Sequence, residues 1–322
     1  MSTFDGHVAE FPDIRIDYFR STGASTKPAL AYFLSHVHSD HLVGLESCKS
    51  PFIYCSPATR DILLRLEKYP HRMNFAKGVL ETRKQTYRHL KNLLKAIPLE
   101  TPTSIELCPG KKIRVTLFDA NHCAGTVMFL IEGNGRAILY AGDIRSEGWW
   151  VDRLVRCPML LPYAVQSGRV SHQRFDCIYL DTTFVVTGRE NSYSRFPSKA
   201  EGLSELLEKV SKYPEDTVFY LNAWTFGYED VWQALSSALV SRIHVDEYRW
   251  GLYRALANGV EPKATEATQM VGFYCGNHFQ RGCLSGDSSE CRIHSCERGT
   301  ACEIWNKGKR SSICHWICTD AV

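Results

Sequence analysis

The chain has 322 residues, of which 44% are hydrophobic, and a formal net charge of +3. This length can bury a large core in one big domain or two smaller ones, and the charge is too mild to indicate a nucleic-acid partner by itself. The polar, acidic N-terminus lacks the pattern of an export signal, and no apolar run approaches the length of a membrane span. The thirteen cysteines are therefore expected to be reduced thiols, some of them metal ligands, rather than a disulfide framework.

The first half of the chain is predicted to consist mostly of strands. They are expected near 14–19, 29–35, 51–55, 113–119, 126–132 and 136–142, with a helix from Pro57 to about Glu67. This pattern suits a β-sandwich sheet flanked by helices. An amphipathic helix is predicted where basic and apolar residues alternate, namely Lys77, Arg83, Lys84, Arg88, Lys91 and Lys95 against Leu80, Tyr87, Leu90, Leu94 and Ile97. Its basic face is either solvated or a flank that contacts phosphates.

From residue 175 the pattern changes to alternating strands and helices. Strands are predicted at 175–181, 217–222 and 242–246, and helices at 199–212, 228–240 and 247–257. Ser198 is the expected N-cap of the first of these helices, with Glu201 three residues later. This alternation indicates βα units on a parallel sheet and a domain boundary near residue 185.

The hexad from His36 to His41 follows the apolar run 29–34 and contains three imidazoles and a carboxylate. His36 and His38 are two residues apart, so in an extended segment both rings point the same way. Asp40 and His41 come where the chain turns, from where they can face a second ion. Histidine suits zinc, and a carboxylate suits a zinc that keeps an open water position. The alternative is a histidine-rich surface turn.

Three other segments supply what the hexad lacks. His122 lies between two apolar runs, Asp143 ends a buried strand, and Asp17 lies on a short alternating strand. Each alone would more often be a turn histidine, a strand-end carboxylate or a solvated residue. Their order around the hexad favours a single site.

The chemistry expected of this site is hydrolysis at two zinc ions, which activate a shared water and stabilise the oxygens of a phosphodiester displacement. The first ion is assigned to His36, His38 and His122. The second is assigned to Asp40 and His41, and Asp143 is the expected bridge. Asp40 is also expected to steer the hydroxide and receive a proton.

Two further carboxylates are expected to act around the metals. Asp17 would accept a hydrogen bond from a ligand imidazole and fix its tautomer. Asp181 follows the carboxyl end of a strand, where α/β proteins place their sites, and is assigned to positioning the substrate or the metal site.

In this order, these segments match the four successive motifs of the metallo-β-lactamase-fold hydrolases, which the chain resembles. Phe175–Phe184, with its Leu-Asp-Thr-Thr-Phe run, resembles the first motif of the β-CASP nucleases and is typical of their DNA-repair branch, which includes the Artemis-like nucleases. Further matches are Ser2–Asp17, Tyr54–Thr59, Ser167–Val170, Phe226–Glu229 and Ile243–Asp246.

The resemblance implies an α/β fold, namely a metallo-β-lactamase αββα sandwich with an inserted β-CASP βα domain. The implied domains are 1–185, which carries the di-metal site, and an incomplete β-CASP domain at 186–310. Residues 311–322 match no segment of the family, so a divergent or truncated C-terminal tail is expected.

The implied activity is that of a nuclear, zinc-dependent DNA nuclease in the repair of double-strand breaks or interstrand crosslinks. Its implied partners are single-stranded, hairpin or overhang DNA ends and a DNA-repair kinase complex, with no membrane. The alternatives are a catalytically weakened DNA-binding protein, an RNA-cleaving β-CASP hydrolase and a small-molecule hydrolase of the same fold. The βα cassette after Asp181 disfavours the small-molecule hydrolase.

A second, structural zinc site is implied by the Artemis subgroup, which carries a His/His/Cys/Cys site in this domain. His244, His294 and Cys296 match three of its ligands, and both histidines are predicted to point outward from strands. Cys302 is the first choice for the fourth ligand and Cys314 the second. The alternatives are that His294 serves the catalytic metals, or that these thiols are only buried.

Overall fold

The computed structural model describes residues 4–20, 28–68, 84–164, 173–183, 196–223, 226–258, 263–296, 302 and 313–316. Its contacts divide the chain into two compact units, Met1–Asp181 and Thr182–Val322. The assignment of a metallo-β-lactamase domain to 1–185, a β-CASP domain to 186–310 and a divergent tail to 311–322 is kept as a proposal.

The first unit contains a parallel sheet of four short strands. They are β1 (Ile14–Ile16), β2 (Ala31–Phe33), β3 (Ile53–Cys55) and β6 (Leu94–Ala96), in the order β1-β2-β3-β6. All three neighbouring pairs run parallel, and β1 is buried at every position, as expected for a parallel sheet covered on both faces. A separate antiparallel ribbon joins β4 (Glu67–Lys68) to β5 (Lys84–Gln85).

A second sheet of the same unit has five strands. They are β7 (Thr103–Cys108), β8 (Lys111–Asp119), β9 (Val127–Gly133), β10 (Arg136–Tyr140) and β11 (Cys177–Tyr179). The order is β11-β10-β9-β8-β7, and every pair is antiparallel except β10 with β11. The carboxyl ends of β10 and β11 therefore lie at the same edge.

The core of the first unit lies between these two sheets. Phe33 on β2 meets Phe129 on β9 edge to face, with 5.5 Å between ring centroids. The buried cluster draws on both sheets, including Ile14, Ile16, Val115, Leu117, Ile131 and Ile138. This arrangement confirms the predicted α/β fold class with a metallo-β-lactamase-like sandwich.

The second unit contains a parallel sheet with alternating helices. Its strands are β12 (Val218–Leu221), β13 (Ile243–His244), β16 (Leu284–Ser285), β17 (Ile293–His294) and β18 (Ile313–Trp316), in the order β16-β13-β17-β12-β18. All four pairs are parallel. An antiparallel hairpin of β14 (Gly272–Cys275) and β15 (His278–Arg281) forms a separate two-stranded sheet.

The helices are short, and a local capping box marks the start of one of them. They are α1 (Pro57–Leu63), α2 (Gly148–Val155), α3 (Lys199–Ser211), α4 (Glu229–Ala238), α5 (Glu247–Ala257) and α6 (Thr265–Val271), with 3-10 turns at Ser39–Leu42, Leu45–Ser47, Arg88–Asn92 and Leu161–Tyr163. The predicted capping box of α3, formed by Ser198 and Glu201, is confirmed. Within the described residues, none of the helices has the length and apolar character needed to cross a bilayer.

The predicted basic amphipathic helix is wrong over the part that the structure describes. Residues 84–97 form β5, a 3-10 turn and β6 instead. Tyr87, Leu90 and Leu94 are buried as expected, since their spacing also fits a 3-10 turn that leads into a strand. Pairing of Leu94 with Ile53 of β3 decides the conformation.

Several predicted features lie outside the described residues. They are Lys77, Leu80, Arg83, Ser2 and Thr3 of the Ser2–Asp17 match, Phe184 of the Phe175–Phe184 match, the Ser167–Val170 motif, and the side chains of Lys84 and Cys314.

Candidate metal centre

The first two histidines of the hexad lie on extended backbone just beyond β2. The Leu34 amide donates to the Tyr54 carbonyl at 2.9 Å, and the Val127 amide donates to the Ser35 carbonyl at 3.1 Å, so the segment is held from both sides. The rings of His36 and His38 come within 4.6 Å of each other, centroid to centroid. Their spacing of two residues therefore brings both imidazoles to one place.

His122 reaches the same place from the loop between β8 and β9. Its Nε2 lies 3.1 Å from Nδ1 of His38. The start of α1 fixes this loop, because the hydroxyls of Ser56 and Thr59 donate to the Gly125 carbonyl at 2.7 and 2.8 Å. Gly125 has a φ of +84°, and a Cβ there would lie 2.9 Å from the Thr59 amide nitrogen, so only glycine fits.

Asp143 follows the end of β10 and faces imidazoles on two sides. Its Oδ2 lies 3.7 Å from Nε2 of His36 and 3.7 Å from Nε2 of His122. Its Oδ1 lies 3.1 Å from Nε2 of His41. One ligand atom each from His36, His38, His122 and Asp143 falls within 4.8 Å of the others. We call these four residues the first cluster.

Asp17 holds His41 from behind through a dense set of hydrogen bonds. Its Oδ2 lies 2.9 Å from Nδ1 of His41 and accepts from the hydroxyls of Ser35 and Tyr140 at 2.6 and 3.0 Å. Its Oδ1 accepts from the Ser35 amide at 2.7 Å. With Nδ1 bound to a carboxylate, Nε2 of His41 is left to face Asp143.

Two of the predicted carboxylates lie at the margin of the first cluster. Asp40 is half-buried, and its Oδ2 is 3.9 Å from Nε2 of His41. Asp181 is exposed just beyond β11, at the edge where β10 leads into Asp143. Burial and the charge of Asp17 raise the pKa of Tyr140 well above its usual value, and the charge of Asp181 adds to this shift. Neither residue belongs to the first cluster itself.

The electrostatics of the first cluster favour uncharged imidazoles. Burial, with the neighbouring His41, lowers the pKa of His36 well below its usual value. Burial and the neighbouring His122 lower the pKa of His38 to about 4. Both rings are therefore neutral near pH 7 and can offer a lone pair to a cation.

His41 behaves differently because carboxylates surround it. Burial lowers its pKa, but the charge of Asp17 and the hydrogen bonds of Asp143 and Asp17 outweigh burial and raise that pKa to about 11. Burial in turn raises the pKa of Asp143, while the hydrogen bond and charge of His41 bring it below its usual value. The acidic side of the site thus draws positive charge toward Asp143.

The donor set and spacing of the first cluster fit a metal ion. Tetrahedral ligands at zinc distances of about 2.0–2.1 Å lie about 3.3 Å apart. The separations of 3.1 Å for His38–His122 and 3.7 Å for His36–Asp143 bracket that value. The buried Nε2 of His36 has no hydrogen-bond partner among the described atoms, as expected of a ligand atom. The first cluster is a potential metal-binding group.

A second cluster of four buried residues lies in the second unit and consists of His244, His294, Cys296 and Cys302. His244 on β13 and His294 on β17 are register partners, and their Nδ1 atoms are 3.2 Å apart. The Cys302 sulfur lies 3.4 Å from Nδ1 of His294. The prediction that these histidines point outward is wrong, because both strands are covered inside the parallel sheet and both rings are buried.

Fixed neighbours surround the second cluster. Nε2 of His294 lies 3.0 Å from the Cys291 carbonyl, and the Tyr220 hydroxyl donates to the Cys296 carbonyl at 2.8 Å. Burial and the neighbouring His244 lower the pKa of His294 to about 4, so its ring is neutral. Burial raises the pKa of Cys296 to about 11, so this thiol needs a cation to become a thiolate at neutral pH.

Two residues that shape the first cluster were missed by the sequence-based reasoning. Ser35 gives Asp17 two hydrogen bonds, and Tyr140 gives it a third. Ser35 is adjacent to the hexad, and that adjacency is the only sequence signal for it. Tyr140 lies in an apolar run typical of a core strand, so the sequence gives no sign that its hydroxyl donates to Asp17.

Known proteins match much of the chain. The family described as Anti-Pycsar protein Apyc1 matches residues 16–162. Protein artemis of Homo sapiens is 35% identical over 266 residues, covering 77% of this chain and 33% of the relative. The 5′ exonuclease Apollo of Gallus gallus is 32% identical over 227 residues, covering 70% of this chain and 40% of the relative.

The chain thus spans 33% of the length of the human artemis protein that it matches. A solved structure of a protein of unknown function from Enterococcus faecalis V583 aligns with a TM-score of 0.41 and 16% identity, covering 73% of this chain and 51% of that chain. Over the matched part of its length, this chain belongs to the Artemis-like metallo-β-lactamase/β-CASP family.

Proposed function

We propose that the chain is a zinc-dependent nuclease that hydrolyses phosphodiester bonds of DNA during repair, as an endonuclease, a 5′ exonuclease or both. The observation that carries the proposal is the double contact of Asp143, whose two oxygens face the His36–His122 side and the His41 side of one site. That arrangement suits a pair of cations around one water. The names of the relatives, artemis and 5′ exonuclease Apollo, support a DNA substrate.

Zinc bound there would lower the pKa of a water and polarise the phosphodiester oxygens. His36, His38 and His122 would hold one ion through neutral imidazoles. Asp40 and His41 would hold the other, with Asp143 between the two. His41 would have to release its Nε2 proton to bind, since burial lowers its pKa but the charge of Asp17 and the hydrogen bonds of Asp143 and Asp17 raise it to about 11, so uptake of the second ion would release a proton. In this assignment Asp40 is a half-buried ligand.

The remaining residues position these groups and move protons. Asp17 accepts a hydrogen bond from Nδ1 of His41, and this bond keeps Nε2 of His41 facing the site. Asp40 is within reach of solvent and is assigned the role of orienting the attacking water and taking up its proton. Asp181, exposed beside the same sheet edge, is assigned to positioning the substrate.

We propose a structural role for the second cluster. His244, His294, Cys296 and Cys302 supply two imidazoles and two thiols, a donor set typical of closed tetrahedral zinc sites. Their burial leaves no room for a substrate, so a metal there would stabilise the unit rather than act in cleavage.

The family assignment also supports a proposal for the cellular setting. We propose that the protein acts in the nucleus, on single-stranded, hairpin or overhang ends, and in contact with a DNA-repair kinase complex. Imaging of the tagged full chain with and without DNA damage tests the location, and co-purification tests the kinase contact. A location that excludes the nucleus would contradict this part of the proposal.

The decisive experiment compares two matched carboxylate variants. Asp143→Asn replaces the shared carboxylate, whereas Asp152→Asn changes an exposed aspartate on α2. Zinc content and cleavage of 5′-phosphorylated single strands and hairpins are measured for both, with an RNA strand of the same sequence in parallel. We expect cleavage of DNA that is lost in Asp143→Asn and kept in Asp152→Asn.

Other outcomes point to the competing functions. Preferred cleavage of the RNA strand would identify an RNA-cleaving hydrolase. Binding of DNA without cleavage by the unaltered, zinc-loaded protein would identify a DNA-binding protein that has lost activity. Undiminished cleavage by Asp143→Asn would refute the proposed site.

A further inference from the structure

The hairpin of β14 and β15, Gly272–Arg281, carries an unusual set of exposed aromatic side chains. Tyr274 is 74% exposed, and Phe273 and Phe279 are 46% and 43% exposed. Tyr274 pairs directly with Phe279 across the strands, and their rings lie 5.0 Å apart. Because side chains alternate along a strand, Arg281 lies on the same face as this pair.

These aromatic rings do not form a core. All four residues of β15 and three of the four of β14 are exposed, so both faces of the ribbon meet solvent. An isolated two-stranded hairpin is marginally stable in water. Solvent-facing rings in this position gain little from burial and are available to a ligand.

The base of the hairpin is firmly anchored to α6. The Cys283 amide donates to the Gln269 carbonyl at 3.0 Å. A Cβ on Gly282 would overlap the backbone of Met270, so the chain passes against the end of α6 with no space between them. The rings are therefore presented from a fixed support, which lowers the entropy cost of binding to them.

The segment that carries the rings contains charge of one sign. Between Glu266 and Asp287 the sequence contains no acidic residue, and Arg281 is the charged residue of the hairpin. A segment that presents aromatic rings beside a guanidinium and contains no carboxylate of its own is complementary to a nucleic-acid strand, whose bases stack and whose phosphates are anionic.

We propose that this hairpin is a stacking platform for the bases of single-stranded DNA, with Tyr274 and Phe279 against the bases and Arg281 toward the backbone. The proposal rests on the proposed nuclease function, since it names how the substrate strand is held. Base stacking on aromatic rings needs no particular sequence, so the platform holds a single strand without reading it.

The test measures binding of a fluorescent oligo-dT strand and of a duplex by anisotropy. All proteins carry Asp143→Asn to prevent cleavage, and their melting temperatures are compared to check folding. Tyr274→Ala should weaken single-strand binding by about 5- to 150-fold per lost base contact. Tyr274→Phe keeps the ring and should bind within about twofold of the parent, because the face of the ring provides the stacking.

A matched exposed aromatic provides the control. Trp149→Ala removes a side chain on α2 that is 59% exposed and should leave binding unchanged. Equal loss in Tyr274→Ala and Trp149→Ala, or no loss in Tyr274→Ala, would overturn the platform. A change in oligomeric state in Tyr274→Ala, with unchanged DNA binding, would instead show that the hairpin contacts a second protein copy.

A small phosphodiester separates this proposal from the proposed function. Bis(p-nitrophenyl) phosphate has no base to stack, so its hydrolysis should be the same with and without Tyr274→Ala in the chain that retains Asp143. Hydrolysis together with unchanged strand binding in Tyr274→Ala would remove the platform and keep the nuclease. If binding of the DNA strand depends on Tyr274 but the protein hydrolyses no phosphodiester, the platform is kept and the nuclease function is refuted.

Discussion

The two clusters differ in how far their ligands are open to solvent. In the first cluster, His38, His122 and Asp143 are only partly buried. In the second cluster all four residues are buried, and none has an exposed fraction above 7%. Catalytic zinc sites keep an open position and structural sites are closed. This contrast supports the proposal that one cluster handles substrate while the other holds its unit together.

The clusters also differ in what orients the ligands. Beside the first cluster, the buried carboxylate of Asp17 makes four hydrogen-bonding contacts and fixes His41 in the 3-10 turn Ser39–Leu42, from where His41 contacts Asp143 of the cluster. In the second, His244 and His294 are paired through adjacent strands, so the sheet itself sets their positions. An open site on loops needs a dedicated positioning residue, whereas a closed site on strands does not.

Removal of metal should separate the two clusters most sharply. Mild dialysis against a chelator should strip the open cluster first and lower phosphodiester cleavage on the order of 10³-fold or more. The melting temperature should change little at that stage, because the closed second cluster exchanges its ion slowly. Parallel measurements of zinc content, activity and melting temperature check this order. Simultaneous loss of activity and fold would break the comparison.

Cys296→Ser should have the opposite signature. We expect loss of one zinc per chain and a melting temperature lower by about 10 °C, because metal binding is part of the folding free energy of such a unit. Specific activity of the folded protein at low temperature should be retained. Cys108→Ser, at a partly exposed thiol on β7, is the matched control and should melt like the parent. Full zinc and unchanged melting in Cys296→Ser would exclude the structural site.

Asp17→Asn should lower activity by about 10- to 100-fold, because the amide no longer fixes His41 with a full negative charge. Ser35→Ala removes one of the donors to Asp17 and should have a smaller effect in the same direction. Activity measured over a zinc titration distinguishes weaker metal binding from misorientation. An Asp17→Asn protein as active as the parent would show that the loop orients His41 by itself.

A buried carboxyl of the second unit, Glu229, provides the smallest expected effect. Glu229 on α4 accepts hydrogen bonds from Tyr253 at 2.5 Å and from the Gly227 amide at 2.9 Å. Burial raises the pKa of Glu229 above its usual 4.5, and these hydrogen bonds offset burial only partly. Its contribution to stability is therefore fully present below pH 4.5 and is lost as pH rises through the raised folded value.

Glu229→Gln stays uncharged at every pH, so it should gain stability relative to the parent between pH 5 and pH 8. The melting temperature of Glu229→Gln relative to that of the parent should rise by about 2–4 °C between pH 5 and pH 8. Thermal unfolding of both proteins at several pH values measures the shift. A difference that is constant with pH would show that Glu229 is ionised as readily when folded as when unfolded.

Local sequence determined much of the fold and the composition of the first cluster. The apolar run before His36 predicts a buried strand, and β2 forms within it. Ser198 and Glu201 predict the start of α3, because a capping box involves residues only three apart. The spacing of His36 and His38 predicts a shared direction for the same reason. In each case the deciding interaction is short-range, so the sequence pattern carries it.

Only the tertiary structure decided the interactions between distant segments. The pairing of Leu94 with Ile53 made a strand where helical spacing predicted a helix. Tyr140 became a partner of Asp17 across 123 positions of the chain. The approach of His244 to His294, 50 positions apart, likewise depends on which strands lie side by side. Such contacts depend on the packing of whole sheets, and a sequence pattern read over a few residues contains no record of which distant strand will lie alongside.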